Sequence, residues 1–379
     1  MYNNIVDFIR FIYNNKNKVI PLHEPTFSGN EKKYIIDCID STFVSSVGKY
    51  VDRIEIDFSE FIQSKYAVAV VNGTSALHIA LKLLGVKNGD EVLTQSLSFV
   101  ATSNAISYCN AKPVFIDVDK KSFGMCPNKL DFFLENHTKW VDSQLINKET
   151  LNPITACVPM HTFGHPVAID SIVKICKKYG IPVVEDAAES LGSKYKNKYT
   201  GTFGELGIFS FNGNKTITCG GGGIIVTNNK KLAKKAKHIT TTAKVPHKWN
   251  YQHDMIGYNY RMPNINAALL CAQLEQLDGI IKNKRKLAKT YSNFFENTEF
   301  RFTEEPPYSK SNFWLNSILL KNKQERDNFL EHLNNNDIMV RPIWILMNKL
   351  KMFKDCYYKD LSNSEWLEQR VVNLPSSNF

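Results

Sequence analysis

The chain has 379 residues, of which 43% are hydrophobic and 22% are charged, the composition of an ordinary globular protein with room for more than one domain. No apolar run approaches the ~20 residues of a membrane span, and the N-terminus lacks a basic segment followed by an apolar stretch, so we expect neither a membrane span nor a signal peptide. The net charge of +10 would suit a nucleic-acid binder, but the lysines are dispersed and the densest run, residues 230–237, is typical of a solvated helix face, so we expect no nucleic-acid partner.

The cysteines indicate the compartment. Eight of them are scattered along the chain, and none form a Cys-x-x-Cys pair. Several lie within apolar segments, where a thiol acts as a small hydrophobic side chain. This pattern favours a reducing environment, so we expect a cytoplasmic protein without disulfides and without a structural metal.

Short apolar runs alternate with helical patterns after the first 60 residues. Strands are predicted over residues 67–71, 91–94, 112–118, 154–159, 182–185, 208–211 and 223–227, and helices lie between several of them, for example over 103–108 and 169–179. This order predicts an α/β fold with a mostly parallel sheet covered by helices on both faces. Ligands bind such sheets at the carboxyl ends of the strands, which is where the pattern places Gly73, Phe99, His161, Asp186 and Ser210.

The last third of the chain has a different pattern. Residues 264–300 predict one long helix, followed by a strand over 313–320, a helix over 323–335 and a strand over 338–341. We therefore predict four parts: an N-terminal arm (1–60), a large domain (61–260), a linking long helix (261–300) and a small C-terminal α+β domain (301–379).

An anion site is predicted after the first strand of the sheet. The apolar run ends at Asn72-Gly73, and Thr74-Ser75 then opens a helix. Free N–H groups at a helix start, together with two hydroxyls, suit a phosphate. A plain Thr/Ser helix cap explains the same residues, so this motif alone leaves both interpretations open. It is not a P-loop, because the Gly-Lys-Ser/Thr sequence is missing.

A second pair of residues indicates the chemistry. Asp186 follows an apolar run, and Lys215 comes later, in Ser210-Phe-Asn-Gly-Asn-Lys. Pyridoxal phosphate (PLP) enzymes need such a pair: the lysine forms a Schiff base with the cofactor, and the aspartate keeps the pyridine nitrogen protonated. Either residue alone is better explained by a turn or a surface loop. Together with the phosphate site, they predict a PLP enzyme.

Other kinds of binding site have weaker support in the sequence. His161 and His165 are four positions apart, but Gly164 and Pro166 predict a loop rather than a metal-binding helix, so we expect no metal site. The glycine run at 220–223 lacks the strand, G-x-G-x-x-G and helix order of a dinucleotide site. A protein that binds PLP without catalysis is the second hypothesis, although no additional helix-turn-helix segment supports it.

With these residues assembled, the chain resembles the DegT/DnrJ/EryC1/StrS family of PLP-dependent sugar aminotransferases over roughly residues 20–376. The ordered motifs that carry the resemblance include Asn72-Gly-Thr-Ser-Ala-Leu-His, His161-Thr-Phe-Gly-His-Pro, Glu185-Asp-Ala-Ala-Glu-Ser, Ser210-Phe-Asn-Gly-Asn-Lys and Gly257-Tyr-Asn-Tyr-Arg-Met-Pro-Asn. The resemblance implies the aspartate-aminotransferase-like fold, PLP fold type I.

The resemblance also implies roles for matching positions. Lys215 and Asp186 would be catalytic, and the cofactor would contact Gly73, Thr74, Ser75, Phe99, Asp186, Glu189, Ser210, Asn212, Lys215 and Asn259. Phe99 would stack on the ring, and Glu189 would lie near the ring hydroxyl, where many relatives have Gln. Asn259 would reach the phosphate in the neighbouring subunit, which implies a homodimer with shared active sites. Substrate contacts would come from His161, Glu189, Tyr260 and Arg261, although Arg261 can equally form a structural salt bridge.

Within this family, the resemblance is closer to the branch that acts on nucleotide-linked 2-acetamido-2,6-dideoxy-hexos-4-uloses than to the other branches. This branch lies on the route to legionaminic acid and related nonulosonic acids. The segments 210–223, 238–249 and 341–347 carry that similarity. It implies amino transfer from glutamate to the 4-keto carbon, for amino-sugar and surface polysaccharide biosynthesis. A sugar 3-aminotransferase or a perosamine-type 4-aminotransferase of the same family are the alternatives. Gly221 and Asn348 depart from relatives that have Glu and His there, which affects substrate choice. One branch of this family consists of dehydratases, which have histidine in place of the lysine. Because this chain has Lys215, the resemblance favours transamination.

Overall fold

The computed structural model describes residues 2–14 and 18–379. Within them it contains the helices α1 (Tyr2–Ile12), α2 (Glu31–Asp40), α3 (Lys49–Ile62), α4 (Gly73–Leu83), α5 (Val100–Tyr108), α6 (Pro127–His137), α7 (Ile169–Lys178), α8 (Lys230–Thr240), α9 (Asn264–Leu274), α10 (Leu277–Phe295), α11 (Lys323–Asn335) and α12 (Ser362–Glu368). Short 3-10 turns lie at Thr162–Gly164, Met347–Lys349 and Lys351–Phe353.

The strands are β1 (Tyr66–Val70), β2 (Glu91–Gln95), β3 (Lys112–Ile116), β4 (Thr138–Val141), β5 (Gln144–Asn147), β6 (Ile154–Val158), β7 (Val184–Asp186), β8 (Lys194–Tyr195), β9 (Lys198–Tyr199), β10 (Leu206–Ser210), β11 (Gly223–Thr227), β12 (Lys244–Val245), β13 (Gln252–His253), β14 (Arg301–Phe302), β15 (Ser309–Lys310), β16 (Asn316–Leu319), β17 (Arg341–Pro342) and β18 (Val371–Leu374). All seven predicted strands of the large domain are present, with bounds that differ by at most a few residues.

The central sheet has the strand order β3-β2-β6-β7-β10-β11-β1. Strands β3, β2 and β6 pair in parallel, as do β7 and β10, and single parallel bridges from Cys157 to Val183 and from Met160 to Asp186 join β6 to β7. Strand β11 runs antiparallel to its neighbours β10 and β1. The prediction of an α/β fold with a mostly parallel sheet is confirmed, and the carboxyl ends of the other strands meet at one edge.

Helices cover both faces of this sheet. Successive residues of a strand point to opposite faces, and here the residues on both faces are apolar and pack against helices. In β1, Val68 and Val70 pack with the apolar faces of α4, α5 and α8. Ala67 and Ala69 point the other way and pack with α3 and α9. Burial on both faces explains why the strands read as continuous apolar runs in the sequence.

The prediction of one long helix over residues 264–300 is wrong. The chain forms α9 and α10 instead, with a break at Glu275 and Gln276. The Glu275 carboxylate accepts a hydrogen bond from Arg53 at 2.7 Å, and the Gln276 amide donates to Glu31 at 2.6 Å. These contacts come from the N-terminal segment, so they could not be read from the local helical pattern.

The C-terminal part forms an antiparallel sheet of order β14-β16-β18-β17, packed with α11, which has the predicted bounds. The strand predicted over 313–320 shortens to β16. In place of the strand predicted over 338–341, Ile338 forms a single bridge with Ile20, and β17 begins at Arg341. Helix α1 packs into the same apolar cluster as α11. The bounds of the four predicted parts stay a prediction.

Candidate active site

The start of α4 lies at the carboxyl edge of the sheet, soon after β1. Asn72 caps this helix, because its side-chain oxygen accepts from the Ser75 N–H at 2.7 Å. A Cβ added to Gly73 would lie 2.8 Å from the Cβ of Ser210, so glycine is needed for the end of β10 to pack against the helix start. The predicted residues Gly73, Thr74, Ser75 and Ser210 are therefore brought together, and their N–H groups and hydroxyls suit a phosphate.

Asp186 is the last residue of β7, and its side chain is held in one orientation. The backbone N–H of Asp186 donates to the Pro159 carbonyl, and the Asp186 carbonyl accepts from the His161 N–H. Its Oδ2 accepts from the Thr102 hydroxyl at 2.7 Å, and its Oδ1 accepts from the Ala188 N–H at 3.1 Å. Each carboxylate oxygen keeps a further lone pair. Asp186 can therefore accept a hydrogen bond from a pyridine N–H.

Lys215 lies in the turn that follows β10, where its backbone N–H donates to the Asn212 carbonyl at 3.0 Å. Its amine donates to Glu189 Oε1 at 3.3 Å and lies 4.2 Å from the centre of the Trp314 ring. The Lys215 side chain is 12% exposed, so the amine is sheltered but still reachable. Such an amine can react with the aldehyde of a small cofactor.

Glu189 is a buried carboxyl next to this amine. Burial raises the pKa of Glu189 to about 7; the Lys215 ammonium opposes this rise, and the charge of Asp186 adds to it. The other carboxyl oxygen, Oε2, accepts from the Phe163 N–H at 2.9 Å. A carboxyl that titrates near neutral pH can hold or release a proton beside Lys215.

The raised pKa of Glu189 predicts a loss of stability as pH rises in the protein without cofactor. The folded state keeps this carboxyl protonated above the ordinary pKa of 4.5, up to about 7. Its contribution to the free energy of unfolding is therefore fully present below pH 4.5 and lost as pH rises through 7, about 3 kcal/mol in all. Denaturant unfolding at pH 5 and pH 8 should show this loss, and Glu189→Gln should show a much smaller one. An equal loss in both proteins would contradict the assignment.

Phe99 and Asn212 lie at the rim of the site. Phe99 immediately precedes α5, is 48% exposed, and has its ring centre 6.3 Å from that of Trp344. This exposure leaves a ring face for stacking. Asn212 has an exposed side chain, and its carbonyl supports the Lys215 turn through the bond already described. Their roles in cofactor binding stay predictions.

His161 does not present its side chain to a substrate, contrary to the expectation from the sequence. It is fully buried, Val167 N–H donates to its Nδ1 at 3.2 Å, and its Nε2 lies 3.1 Å from Glu185 Oε2. Because Nδ1 accepts, Nε2 carries the proton and donates to Glu185. The Glu185 carboxylate also accepts N–H groups of the loop at Gly201 and Gly204. His161 therefore supports the structure around Asp186.

Asn259, Tyr260 and Arg261 lie in the segment between β13 and α9. The Tyr260 carbonyl accepts from the Val71 N–H at 2.8 Å, whereas its ring packs against His78. The Asn259 side chain is exposed. Arg261 borders a small cavity, its Nε is buried without a hydrogen-bond partner, and no carboxylate of residues 2–14 or 18–379 forms a salt bridge with it. The salt-bridge alternative for Arg261 is thus not observed within this chain.

Three residues that complete the site were not predicted for it. Thr102 holds Asp186, as described. The Asn312 amide donates to the carbonyls of Glu189 and Leu191 at 3.0 and 2.9 Å. The Trp314 indole N–H donates to the Asn214 carbonyl at 2.7 Å. Trp314 reads as a core residue in the sequence, and indeed it is buried, but nothing in its local pattern reveals that its ring faces Lys215.

Two absences concern only the part of the chain that the structure describes. No group of three or more His, Cys, Asp or Glu side chains there is placed to hold a metal ion. None of the helices in that part has the length and apolar character needed to cross a bilayer.

The residues present fit pyridoxal phosphate: a cradle at α4 that excludes a Cβ at Gly73, a fixed acceptor at Asp186 and a sheltered amine at Lys215. Fold and site together define a PLP-dependent aminotransferase of fold type I. The model of the DegT/DnrJ/EryC1/StrS aminotransferase family matches residues 25–378, and the chain belongs to this family.

Relatives and solved structures agree with this membership. The chain is 40% identical to the GDP-perosamine synthase of Escherichia coli O157:H7 over 359 residues, which cover 95% of this chain and 93% of the relative. It is 39% identical to the GDP-perosamine synthase of Vibrio cholerae over 363 residues, covering 94% of each. A crystal structure of a DegT DnrJ EryC1 StrS aminotransferase from Brucella abortus superimposes with a TM-score of 0.84 at 26% identity, covering 92% of this chain and 90% of that one.

Proposed function

We propose that this enzyme transfers an amino group from glutamate to the 4-keto carbon of a nucleotide-linked 2-acetamido-2,6-dideoxy-hexos-4-ulose. The observation that carries the transfer is the Lys215 amine, placed between the Glu189 carboxyl and the Trp314 ring. A lysine so placed can bind a cofactor aldehyde and later move a proton. The sugar is the finer part of the proposal and rests on separate arguments.

The residues divide the work of transfer among them. Bound pyridoxal phosphate supplies an aldehyde that takes up the amino group and a ring that draws electrons from the reacting carbon. Lys215 would hold the cofactor through its Nζ, and the same nitrogen would move the proton. Asp186 keeps the ring nitrogen protonated through a carboxylate that Thr102 and Ala188 hold still. Glu189, with a pKa of about 7, holds or releases a proton beside Lys215.

Two features support a 2-acetamido sugar as the acceptor. The segments 210–223, 238–249 and 341–347 resemble the corresponding segments of enzymes for such sugars. Gly221 stands where many relatives have a glutamate, although a Cβ at this position would meet only the Val71 carbonyl oxygen, at an ordinary 3.7 Å. Backbone packing therefore does not require glycine there, and we propose that the missing side chain gives room for the acetamido group of the sugar.

A perosamine-type 4-aminotransferase is the second candidate. The two relatives described above, at 40% and 39% identity over nearly the whole chain, favour it. The two candidates share the keto carbon and the chemistry, and they differ in the substituent at C2. The net charge of +10 suits either nucleotide-linked anion.

A visible spectrum of the purified protein tests the proposal. We expect a band of lysine-bound cofactor that glutamate bleaches and that one nucleotide-linked 4-keto sugar restores. The sugars to compare are a 2-acetamido-4-keto-6-deoxyhexose, linked to UDP and to GDP, and a GDP-linked 4-keto-6-deoxymannose. Gly221→Glu serves as the matched variant, because it should reduce restoration by the 2-acetamido sugar while leaving the glutamate step unchanged.

Each outcome of this experiment tests a different part of the proposed function. Restoration only by the 4-keto-6-deoxymannose would replace the first candidate with the second. A band that glutamate does not change would contradict glutamate as the amino donor. Equal restoration by both sugars in the wild type and in Gly221→Glu would contradict the role given to the space at Gly221.

We also propose a homodimer with shared active sites. Large apolar side chains are exposed on α2, on the loop after it and in the segment 249–256: Ile36, Ile39, Phe43, Val44, Val47, Trp249, Tyr251, Met255 and Ile256. So many exposed apolar residues on one chain support an interface. The loop is fixed to the start of α9 by the Asn264 N–H, which donates to the Ser45 carbonyl at 2.6 Å. Asn259 lies between the second segment and α9 in the chain, where a second copy would receive it.

A further inference from the structure

A buried lysine outside the catalytic set has three close polar neighbours. Lys284 lies in α10 and is 1% exposed. Its Nζ lies 2.7 Å from the Ser376 carbonyl oxygen and 3.1 Å from that of Trp314. The same Nζ lies 2.8 Å from Nε2 of His23. A fully buried lysine is rare unless its amine makes specific contacts, and these contacts join four separate segments of the chain.

One of these contacts leads directly to the catalytic lysine. Trp314 gives its carbonyl oxygen to Lys284 and presents its ring to Lys215, whose Nζ lies 4.2 Å from the ring centre. The indole N–H is bonded to the Asn214 carbonyl, one residue before Lys215. Lys284 thus holds the main chain of the residue whose side chain determines where the Lys215 amine can lie.

His23 is a second link between the two lysines. Burial lowers the pKa of His23, and the charges of Lys284 and then Lys215 lower it further, so Lys215 lies within electrostatic reach. Burial also lowers the pKa of Lys284 to about 7. A neutral imidazole nitrogen can accept from an ammonium or, in the other tautomer, donate to an amine. The contact between His23 and Lys284 therefore survives in either protonation form of Lys284.

We propose that Lys284 is a positioning residue for the catalytic lysine: by binding the Trp314 carbonyl, His23 and the Ser376 carbonyl, it fixes the indole against which the Lys215 amine rests. The proposal requires only that Lys215 carries the cofactor, and it holds whichever sugar is aminated. A small displacement of a reacting group can cost about 100-fold in rate, so even modest movement of the indole would be measurable.

A purely structural role for Lys284 predicts a different result. In that case the cluster would only connect the N-terminal segment, α10 and the C-terminal segment, and its loss would lower the melting temperature alone. The measurement must therefore report on the Lys215 amine in protein that is still folded. The rate at which apoprotein captures added PLP, followed by the visible band of the lysine-bound cofactor, and the pH at which that band changes both do so.

We expect Lys284→Met to slow PLP capture by about tenfold and to shift the titration of the band, measured well below its melting temperature. Lys282→Met is the matched control, because this lysine is exposed on the same helix. It should behave like the wild type. A folded Lys284→Met protein with wild-type capture and titration would overturn the proposal, whatever its melting temperature.

A pair of His23 variants decides the case if Lys284→Met does not fold. His23→Gln keeps a side-chain oxygen that can accept from Lys284, whereas His23→Leu removes the acceptor at similar size. We expect slower capture and a shifted titration for His23→Leu, and values close to wild type for His23→Gln. Identical behaviour of the two variants would overturn the proposal, since the hydrogen bond to Lys284 would then have no effect on Lys215.

Discussion

Lys215→Ala is expected to lower amino transfer by about 10⁴-fold or more, because it removes the residue that we propose attaches the cofactor and moves the proton. The variant should remain folded, since the observed interactions of the lysine side chain are one hydrogen bond to the Glu189 carboxyl and one contact with the Trp314 ring. Borohydride reduction followed by mass spectrometry measures the attachment: the wild type should gain a covalent pyridoxyl group on the peptide with Lys215, and the variant should not. Normal turnover by the variant would refute the assignment.

Mixed dimers extend this experiment to the partner's contribution. If Asn259 serves the neighbouring site, a dimer of one Lys215→Ala subunit and one Asn259→Ala subunit contains one site with both changes and one site with neither. Two affinity tags isolate this species after co-expression, and we expect about half of the wild-type activity. If Asn259 acted in its own subunit, both sites of the mixed dimer would be defective. The mixed dimer would then be no more active than a dimer of two Asn259→Ala subunits.

Asp186→Asn is expected to lower the rate by about 10³-fold with little loss of stability. The amide cannot keep the pyridine nitrogen protonated, yet its NH₂ can face Thr102, whose hydroxyl can accept as well as donate. Its oxygen can still accept from the Ala188 N–H. Steady-state kinetics and thermal unfolding together measure the two effects.

The adjacent carboxylate provides the matched comparison. The Glu185 carboxylate accepts hydrogen bonds from the N–H groups of Gly201 and Gly204 and from His161 Nε2. None of these donors is a hydroxyl, so none of them can accept a hydrogen bond instead. Glu185→Gln should therefore cost about 3 kcal/mol of unfolding free energy, because its NH₂ must face another donor. A similar stability loss in both variants, or an unchanged rate in Asp186→Asn, would contradict the separation of roles.

The sequence was sufficient for features that follow from local pattern. Strands buried on both faces read as apolar runs, and the residues that follow them, such as Asp186 and Ser210, could be assigned to one edge of the sheet before any coordinates were known. The lysine could be found because it follows a strand of the same sheet.

Features that depend on distant contacts could not be predicted. The break between α9 and α10 is held by Arg53 and Glu31, which lie in an earlier part of the chain. His161 stands at a strand end like a substrate residue, but the pairing of its ring with Glu185 turns it inward. Trp314 lies far along the chain from Lys215, and its position is held by hydrogen bonds to Asn214 and Lys284, which are distant from it in the sequence.

The attachment of the Lys215 loop to Asn312 and Trp314 has a consequence for the order of events on the ribosome. The α4 cradle and Asp186 belong to the central sheet, whose last strand in the sequence is β11, but the segment that braces the lysine is synthesised later, at residues 312–314. We therefore expect productive capture of the vitamin B6 cofactor only after residues 312–314 have been synthesised and have folded against Lys215. A nascent chain that stops before residue 312 would carry Lys215 without the hydrogen bonds that hold its loop.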